Sequence, residues 1–379
     1  MRTLLALPLL LSVPVAAHAD AKVCKAGALI YGNPSYKGTD KPDPKGQAVR
    51  QDPPLEWREF TIGKGQTFMV SGQAQELWGG DLNGQIKRIA GDGQGAQAKF
   101  ADGPCAGAAF ATLWGLATLR DGSIVVADHA AHAIRVVSDP LGAGCKVTTV
   151  VGPTAPFAVT DIKAPTAGDA DGPAASAKIG APGWPVTDSS GNIYFVDTAA
   201  GKVKVVAADA ARTVSTLGTL TASNKILAVT GMTMLDDKLY AIGNSSNNSM
   251  VWEIDPETKK VKLLKDASGK GFPPLTANAP SLSTIASDGN ALLFSGQGYI
   301  WRMSKDGKVL TAVAGRGYAL DYPAGYNPAG VYPTKDLFLA FRSGDALTGG
   351  NSSYLVWNDN AIYWRGRYYG SYVLKIGCP

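Results

Sequence analysis

Short apolar strands alternate with polar turns along this chain, and the pattern recurs six times. Each copy joins two apolar strands through a polar turn, and its second strand carries a charged residue just before an aliphatic one. The copies occupy residues 76–89, 123–137, 192–206, 238–254, 291–303 and 361–376. Their charged positions are Arg88, Arg135, Lys204, Glu253, Arg302 and Lys375. Repeats of short strands at a spacing of roughly 40–50 residues are typical of a β-propeller, in which each repeat forms one blade.

The repeat therefore predicts an all-β fold, a six-bladed β-propeller of four-stranded antiparallel blades. Blade one is predicted to start near Leu55 and blade six near Gly330, and a Pro-rich insertion precedes blade three at 153–165. The predicted blades end near Gly91, Gly152, Gly218, Lys265, Gly315 and Cys378. The early strand GALIYG, at 27–32, has no blade of its own, so we expect it to join the last blade and close the ring. The innermost strand of each blade should be the small, apolar one, such as 116–119 or 184–187.

Composition and charge agree with such a fold. The 379 residues include 45 Gly and 23 Pro, which suit many tight turns between short strands. A hydrophobic content of 45% is enough to bury a core. The formal net charge is only +5, and no cluster of Lys and Arg forms a stripe, which argues against nucleic-acid binding.

The N-terminus has the features of an export signal. Arg2 gives a positive start, residues 4–15 are apolar, and Ala17-His18-Ala19 fits the small-x-small cleavage rule. This predicts a signal peptide over 1–19 and one propeller domain over 20–379, secreted or periplasmic. The apolar run is too short to cross a bilayer, and no later segment approaches the roughly 20 apolar residues that a span needs, so no transmembrane segment is predicted.

Four cysteines follow the signal, which suits an oxidising compartment. Four thiols allow three pairings. Because a propeller brings its two ends together, we expect Cys24 to pair with Cys378, which leaves Cys105 to pair with Cys145 within one blade. The competing interpretation, a metal site, is weakened because the chain has no C-x-x-C or Cys/His spacing of that kind.

Two segments resemble NHL repeats. They are GDGQGAQAKFADGP with WGLATLRDGSIVVADHAAHAIRVV (91–137), and GDADGPAASAKIGAPGWPVTDSSGNIYFVDTAAGKVKVV (168–206). The resemblance extends over most of the mature chain, although blades four and six keep only the strand rhythm. It implies a six-bladed propeller whose commonest role in the family is to recognise proteins, RNA or sugars. Some relatives are enzymes, and the fold alone does not choose between these roles.

His129 and His132 are the only histidines of the predicted mature chain. One interpretation makes them metal ligands, since they are three residues apart around a turn. The other places His132 where NHL repeats often carry a turn histidine, and we favour it. Propellers of the amidating-lyase type collect histidines from several blades around a zinc ion, whereas here both lie in the second blade.

Calcium-dependent lactonases and gluconolactonase-like propellers, which are hydrolases or lyases of similar fold, use Glu, Asn and Asp at the central mouth. Asp128, Asp197 and Asn244 are the candidates in this sequence. We expect Asp128 and Asp197 instead to cap turns, because they stand at the strand-ending position of the repeat. Glu76 and Glu253 lie within or beside strands, without a spacing that marks acid–base catalysis.

The segment Asp169-Ala170-Asp171-Gly172 faintly resembles a calcium loop but lacks the later ligands of an EF-hand. The corresponding Asp102-Gly103 in blade two predicts that these acids belong to turns between blades.

Aromatic residues give the most unusual signal. Trp114 and Trp184 begin the inner strands of blades two and three, and we expect them near one mouth of the central channel. The loop before blade six and blade six itself add Tyr318, Tyr322, Tyr326 and Tyr332, and Arg365 and Arg367. Tyr, Trp and Arg are enriched in binding surfaces. The sequence therefore favours a non-enzymatic module that binds a protein or a glycan and needs no cofactor. The alternative is a calcium-dependent propeller enzyme.

Overall fold

The structure is a computed structural model that describes residues 25–31, 57–71, 75–81, 86–92, 99–158, 167–220, 228–245, 248–265, 282, 284–296, 299–305, 309–315, 354–367 and 371–377. Within these ranges the chain forms β-strands and no α-helix, and no helix there is long and apolar enough to cross a membrane.

The strands follow the order of the repeats. A first strand, β1 (Lys25–Tyr31), precedes blade one, which contains β2 (Trp57–Gly63), β3 (Gln66–Ser71), β4 (Glu76–Asp81) and β5 (Ile86–Ala90). Two short strands, β6 (Lys99–Phe100) and β7 (Gly103–Pro104), lead into blade two, which contains β8 (Leu113–Thr118), β9 (Ile124–Asp128), β10 (Ala133–Ser138) and β11 (Lys146–Val151). The short β12 (Phe157–Ala158) pairs with β6, and β7 pairs with β11.

The remaining blades keep the same order. Blade three contains β13 (Pro182–Thr187), β14 (Ile193–Asp197), β15 (Lys202–Val206) and β16 (Val214–Thr219). Blade four contains β17 (Ala228–Leu235), β18 (Lys238–Ser245), β19 (Asn248–Asp255) and β20 (Lys260–Lys265). Blade five contains β21 (Thr284–Ser287), β22 (Ala291–Gly296), β23 (Tyr299–Ser304) and β24 (Leu310–Gly315), and blade six contains β25 (Tyr354–Asn358), β26 (Ala361–Arg367) and β27 (Ser371–Gly377).

The six sheets form a closed ring, which confirms the predicted six-bladed propeller. The first strands of successive blades contact one another in a cycle, from β2 through β8, β13, β17, β21 and β25 back to β2. The ring closes as the sequence predicts, because β1 pairs antiparallel with β27 and becomes the outer strand of blade six. Lys25 lies opposite Gly377 in this pairing.

Hydrophobic packing lies between the blades. All five residues of β9 and all five of β14 are buried, so both faces of these central strands are covered by neighbouring sheets. The apolar runs IVVAD and IYFVD follow from this arrangement, because a strand buried on both faces needs no polar alternation. Asp-Gly turns join the strands: Asp121 accepts a hydrogen bond from the Ser123 backbone N–H at 2.8 Å, and Gly122 has a φ of 96°.

The disulfide predicted within blade two is confirmed. Cys105 and Cys145 are bonded, with their Cα atoms 5.4 Å apart. The Cys105 backbone N–H also donates to the Cys145 carbonyl at 3.1 Å. The bond fastens the loop that leads into blade two to the loop before its outer strand. Cys24 and Cys378, as well as the signal peptide, lie outside the described residues.

Candidate functional site

The charged residue of the repeat is a buried anchor in blade two. The Arg135 side chain is fully buried on β10 and forms ion pairs with Asp102 at 2.8 Å and with Asp128 at 3.1 Å. It also donates to the carbonyl oxygens of Ala101 and Ala109, both at 2.6 Å. The guanidinium thereby binds the leading loop of blade two (residues 99–112) to β9 and β10.

Lys204 has the same role in blade three. Its side chain is fully buried on β15, and its ammonium lies 2.7 Å from Asp169 and 2.8 Å from Asp171. Asp171 also accepts hydrogen bonds from the backbone N–H of Thr216 at 2.7 Å and from its hydroxyl at 3.0 Å. The acids of this leading loop (residues 167–181) therefore attach it to β15 and β16, as expected of acids in a turn between blades.

The pKa shifts in blade three follow from these contacts. Hydrogen bonding from Lys202 and Lys204 holds the pKa of Asp169 below its usual value. Desolvation opposes ionisation of Asp171, but Lys204 and Thr216 outweigh it and lower its pKa as well. Desolvation likewise disfavours the charged form of Lys204, and its two aspartate partners overcome that effect and raise its pKa. All three groups are therefore held in their charged forms.

Asp128 and Asp197 cap backbone groups, as the repeat predicts. The Asp128 carboxylate accepts from the backbone N–H of Thr112 at 2.8 Å and of Ala111 at 3.1 Å. Asp197 accepts from the Gly180 backbone N–H at 2.7 Å. Complete burial raises the pKa of Asp128, against the lowering effect of its cationic and N–H partners. Both carboxylates thus hold the start of an inner strand.

The two histidines join blade two to blade three. The ring nitrogen Nδ1 of His129 lies 3.2 Å from the carbonyl oxygen of Pro182, and Nδ1 of His132 lies 2.5 Å from that of Gly180. A carbonyl oxygen can only accept, so Nδ1 carries the proton in both rings. This supports the interpretation of His132 as a turn residue. Within the described ranges, no group of three His, Cys, Asp or Glu side chains is placed to hold a metal ion.

Trp114 lies at the start of β8, at the end of the propeller that also carries the turn between β9 and β10. We call this end the upper face. The Trp114 ring centroid is 3.9 Å from that of His129 and 5.6 Å from that of Trp184. Trp114 is partly buried, whereas Trp184 is only 4% exposed and belongs to the core between blades three and four. Trp114 therefore offers the more accessible ring, with Trp184 packed beside it.

The two tryptophans do not occupy equivalent positions, contrary to what the sequence pattern indicates. Leu113 pairs with Asp128 and Pro182 with Asp197, so Trp184 corresponds to Gly115. Both inner strands have a register shift here, and both residues have a positive φ, 111° for Gly115 and 48° for Trp184. A positive φ is unusual for a bulky residue, and bulges often redirect side chains at functional sites.

Sequence reasoning missed Glu59, a carboxylate on the inner strand β2 that is 3% exposed. A Cβ atom built on Gly115 would lie 3.1 Å from Oε2 of Glu59 and 2.8 Å from the backbone N of Trp184. Glu59 therefore lies beside the bulges of blades two and three. Its signal in the sequence is an acid inside WREFTIG, which looks like an ordinary polar position of an alternating strand.

The other acidic candidates form local ion pairs. Glu76 binds Arg88 at 2.9 Å. Glu253 binds Lys238 at 3.1 Å and accepts a hydrogen bond from the Tyr240 hydroxyl at 3.2 Å. Desolvation, together with Glu253, raises the pKa of Tyr240 above its usual range.

Several predicted residues lie outside what the structure describes. Tyr318, Tyr322, Tyr326 and Tyr332 are in undescribed segments, and the side chains of Asn244, Arg365 and Arg367 are not described. The backbones of Arg365 and Arg367 lie on β26, a central strand of blade six. In the same strand Tyr363 and Trp364 are buried, so part of the aromatic excess of blade six is core.

No protein-family model matches this sequence, and no curated protein sequence matches it significantly. The fold is nevertheless similar to solved propellers. An auxiliary nutrient binding protein from Bacteroides ovatus has a TM-score of 0.59 and 10% identity, over 96% of this chain and 79% of that one. A gluconolactonase from Xanthomonas campestris has a TM-score of 0.51 and 11% identity, over 85% of this chain and 86% of that one. At these identities the similarity shows the propeller fold and no more.

Proposed function

We propose that this protein is an exported NHL-type propeller that binds a protein or glycan ligand, without catalysis, at its upper face. The observation that carries this proposal is the partly exposed Trp114 ring, held between His129 and Trp184 where two bulged inner strands meet. In the proposal, residues 1–19 are the signal peptide and residues 20–379 form the single propeller domain.

The aromatic cluster is held rigidly before any ligand arrives. His129 is fixed by its bond to the Pro182 carbonyl, and Trp184 is fixed by its core packing. A side chain that is already ordered loses little entropy on binding, so Trp114 is suited to act as an anchor. Trp rings contribute strongly to protein interfaces and also stack on apolar sugar faces.

The carboxylates near the same face support binding rather than calcium chemistry. Asp128 and Asp197 each accept backbone N–H bonds, and Asp128 is also paired with Arg135. A metal would have to displace these bonds. The Bacteroides ovatus neighbour, described as a nutrient binding protein, is an example of a binding role on a similar fold. The tyrosines at 318, 322, 326 and 332 and the arginines at 365 and 367 complete the proposed surface.

One observation favours the enzyme alternative. Glu59 is a buried carboxylate on an inner strand, and oxygen ligands at the axis suit a hard cation such as calcium. The gluconolactonase neighbour is an example of catalysis on a similar fold. Elemental analysis of the mature protein, with thermal melts with and without EDTA, distinguishes the two. A stoichiometric metal whose removal lowers the melting temperature supports the enzyme, and a metal-free protein indifferent to EDTA supports the binding module.

The proposal is tested by ligand capture with matched tryptophan variants. Immobilised mature protein is screened against a glycan array and against a secreted-protein fraction, and each hit is measured with Trp114→Ala. We expect affinity to fall more than about tenfold, because an aromatic anchor of an interface contributes roughly 2 kcal/mol or more. Trp301→Ala is the control, since Trp301 lies on β23 in blade five, where its ring is tilted by 47° against that of Tyr299, with the centroids 5.1 Å apart. Equal affinity in the two variants contradicts the proposal.

A further inference from the structure

A second concave site lies between blades two and three, away from the tryptophan cluster. It is a groove of about 450 Å³, within the range of small-molecule sites. His132 and the exit of blade two, Gly152-Pro153, form one wall, and residues 175–179 of the leading loop of blade three form the other. The lining includes the apolar Ala175, Ala177 and Ile179 and no carboxylate.

Lys178 supplies a positive charge at this groove. Its side-chain stem packs on Gly168, where a Cβ atom would lie 2.6 Å from that of Lys178. The lysines Lys202 and Lys204 both form ion pairs with Asp169, and Lys204 also forms one with Asp171. Within the described ranges Lys178 itself forms no ion pair, so its charge remains available to a ligand.

The backbone of the same wall has few donors left. The backbone N–H groups of Ser176 and Ala177 both donate to the Pro173 carbonyl. Those of Lys178 and Gly180 donate to the Ala170 carbonyl and to the Asp197 carboxylate. The groove therefore lacks the cluster of free N–H groups that phosphate sites commonly use. One ammonium matches a single negative charge better than a phosphate dianion.

His132 contributes a second polar group. Its Nδ1 is engaged by the Gly180 carbonyl, so Nε2 is the nitrogen that remains for a ligand. In the neutral ring Nε2 accepts a hydrogen bond, for example from a hydroxyl group.

We propose that this groove binds the carboxylate of a small organic acid, with the carboxylate on Lys178 and the hydrocarbon part against the apolar wall. The site is independent of the proposed function, because it does not involve Trp114.

The test uses sodium benzoate as the probe, titrated into the mature protein by calorimetry at low salt. Benzamide keeps the ring and removes the charge, and inorganic phosphate keeps a charge and removes the ring. We expect measurable benzoate binding and at least about tenfold weaker binding of benzamide, because it lacks the charge that Lys178 would bind. Phosphate should also bind at least about tenfold more weakly, because it has no hydrocarbon part to lie against the apolar wall. Phosphate binding as tight as benzoate binding overturns the carboxylate assignment.

Matched lysine variants locate the site. Lys178→Ala should lower benzoate affinity at least about tenfold, and it should fold normally, because blade two has Ala109 at the corresponding position of its own leading loop. Lys146→Ala, at another exposed lysine on β11, should leave affinity unchanged. Benzoate affinity that survives Lys178→Ala, or no binding at millimolar benzoate, overturns the proposal whatever the Trp114 experiment gives.

Discussion

Blades two and three differ from blades one and five in how far the charged side chain of the repeat is exposed to solvent. The Arg135 and Lys204 side chains are fully buried, whereas those of Arg88 and Arg302 are 52% and 42% exposed. In blades two and three a leading loop carries the aspartates that pair with the buried cation. In blades one and five the cation binds an acid of its own blade, since Arg88 binds Glu76 and Arg302 binds Asp288. The charged position of the repeat therefore holds a leading loop in blades two and three, and forms a partly exposed ion pair within the blade in blades one and five.

The comparison also explains why the repeat pattern is most specific in blades two and three. The residues that make it specific, the Asp-Gly of the leading loop and the strand-ending Asp, are the ones that bind Arg135 or support the inner strand. Blades one and five keep only the closing segments IKRIAG and YIWRM with VLTAVAG, and blades four and six keep only the alternation of strands and turns.

The largest expected effect is that of Arg135→Met. Removing the guanidinium leaves Asp128 buried without its cation, and breaking a buried pair costs on the order of 3–5 kcal/mol. Urea unfolding measures this loss. Arg302→Met is the control, because exposed pairs contribute about 0–1 kcal/mol. Similar losses in both variants would show that burial does not distinguish the two kinds of blade.

Blade two has a disulfide at its leading loop, whereas blade three has Ala174 at the position of Cys105. Gly103-Pro104-Cys105 corresponds to Gly172-Pro173-Ala174, so a Cys105→Ala, Cys145→Ala variant makes blade two resemble blade three. We expect a loss of about 2–4 kcal/mol, which urea unfolding of the oxidised wild type and the variant can measure. If stability is unchanged, the other contacts of the leading loop, including those with Arg135 and Asp128, hold it without the disulfide.

Acid titration separates the carboxylates of the two blades. The pKa values of Asp169 and Asp171 are lowered in the fold, so their contribution is present above the unfolded value of 3.8 and is lost as pH falls through the folded pKa values. Lys204→Met should reduce this contribution, leaving the part that Lys202 and Thr216 supply, so its stability should fall less steeply than that of the wild type below about pH 4. Asp128 has a raised pKa, so its own contribution has the opposite slope. Parallel acid limbs for wild type and variant would contradict this assignment.

The smallest effect is expected at Thr230, a bulge residue on β17. Its hydroxyl is buried and has no hydrogen-bond partner among the described residues. Thr230→Val should therefore leave stability unchanged or raise it by up to about 1 kcal/mol. Thr187→Val is the matched control, because the Thr187 hydroxyl donates to the Thr118 carbonyl at 2.9 Å, and it should lose about 1 kcal/mol. A loss at Thr230 would reveal a partner such as a bound water molecule.

The sequence predicted the blades because repeats and turns are local features. It predicted the closing strand and the disulfide of blade two because a closed ring must bring the two ends of the chain together. It did not predict that Arg135 is buried, since a charged residue on a strand usually faces solvent. It also treated Trp114 and Trp184 as equivalent entries to their inner strands, whereas the strand register sets Trp184 at the position of Gly115. Glu59 was missed because its surroundings come from blades two and three, which are distant in sequence.

The disulfide between Cys24 and Cys378 remains a prediction. Lys25 and Gly377, which pair in the structure, are the sequence neighbours of Cys24 and Cys378, and the two cysteines themselves lie outside the described residues. Non-reducing peptide mapping should recover a peptide that joins them. Recovery of both cysteines as free thiols would contradict this disulfide.

The most direct test of the proposed function is hydrogen–deuterium exchange with the captured ligand bound. The upper face includes residues 111–115 and 129–132, and the opposite face includes the turns at 119–123, 188–192 and 236–237. We predict that the ligand slows exchange in 111–115 and 129–132 and leaves the opposite turns unchanged. Protection confined to the opposite turns would contradict it.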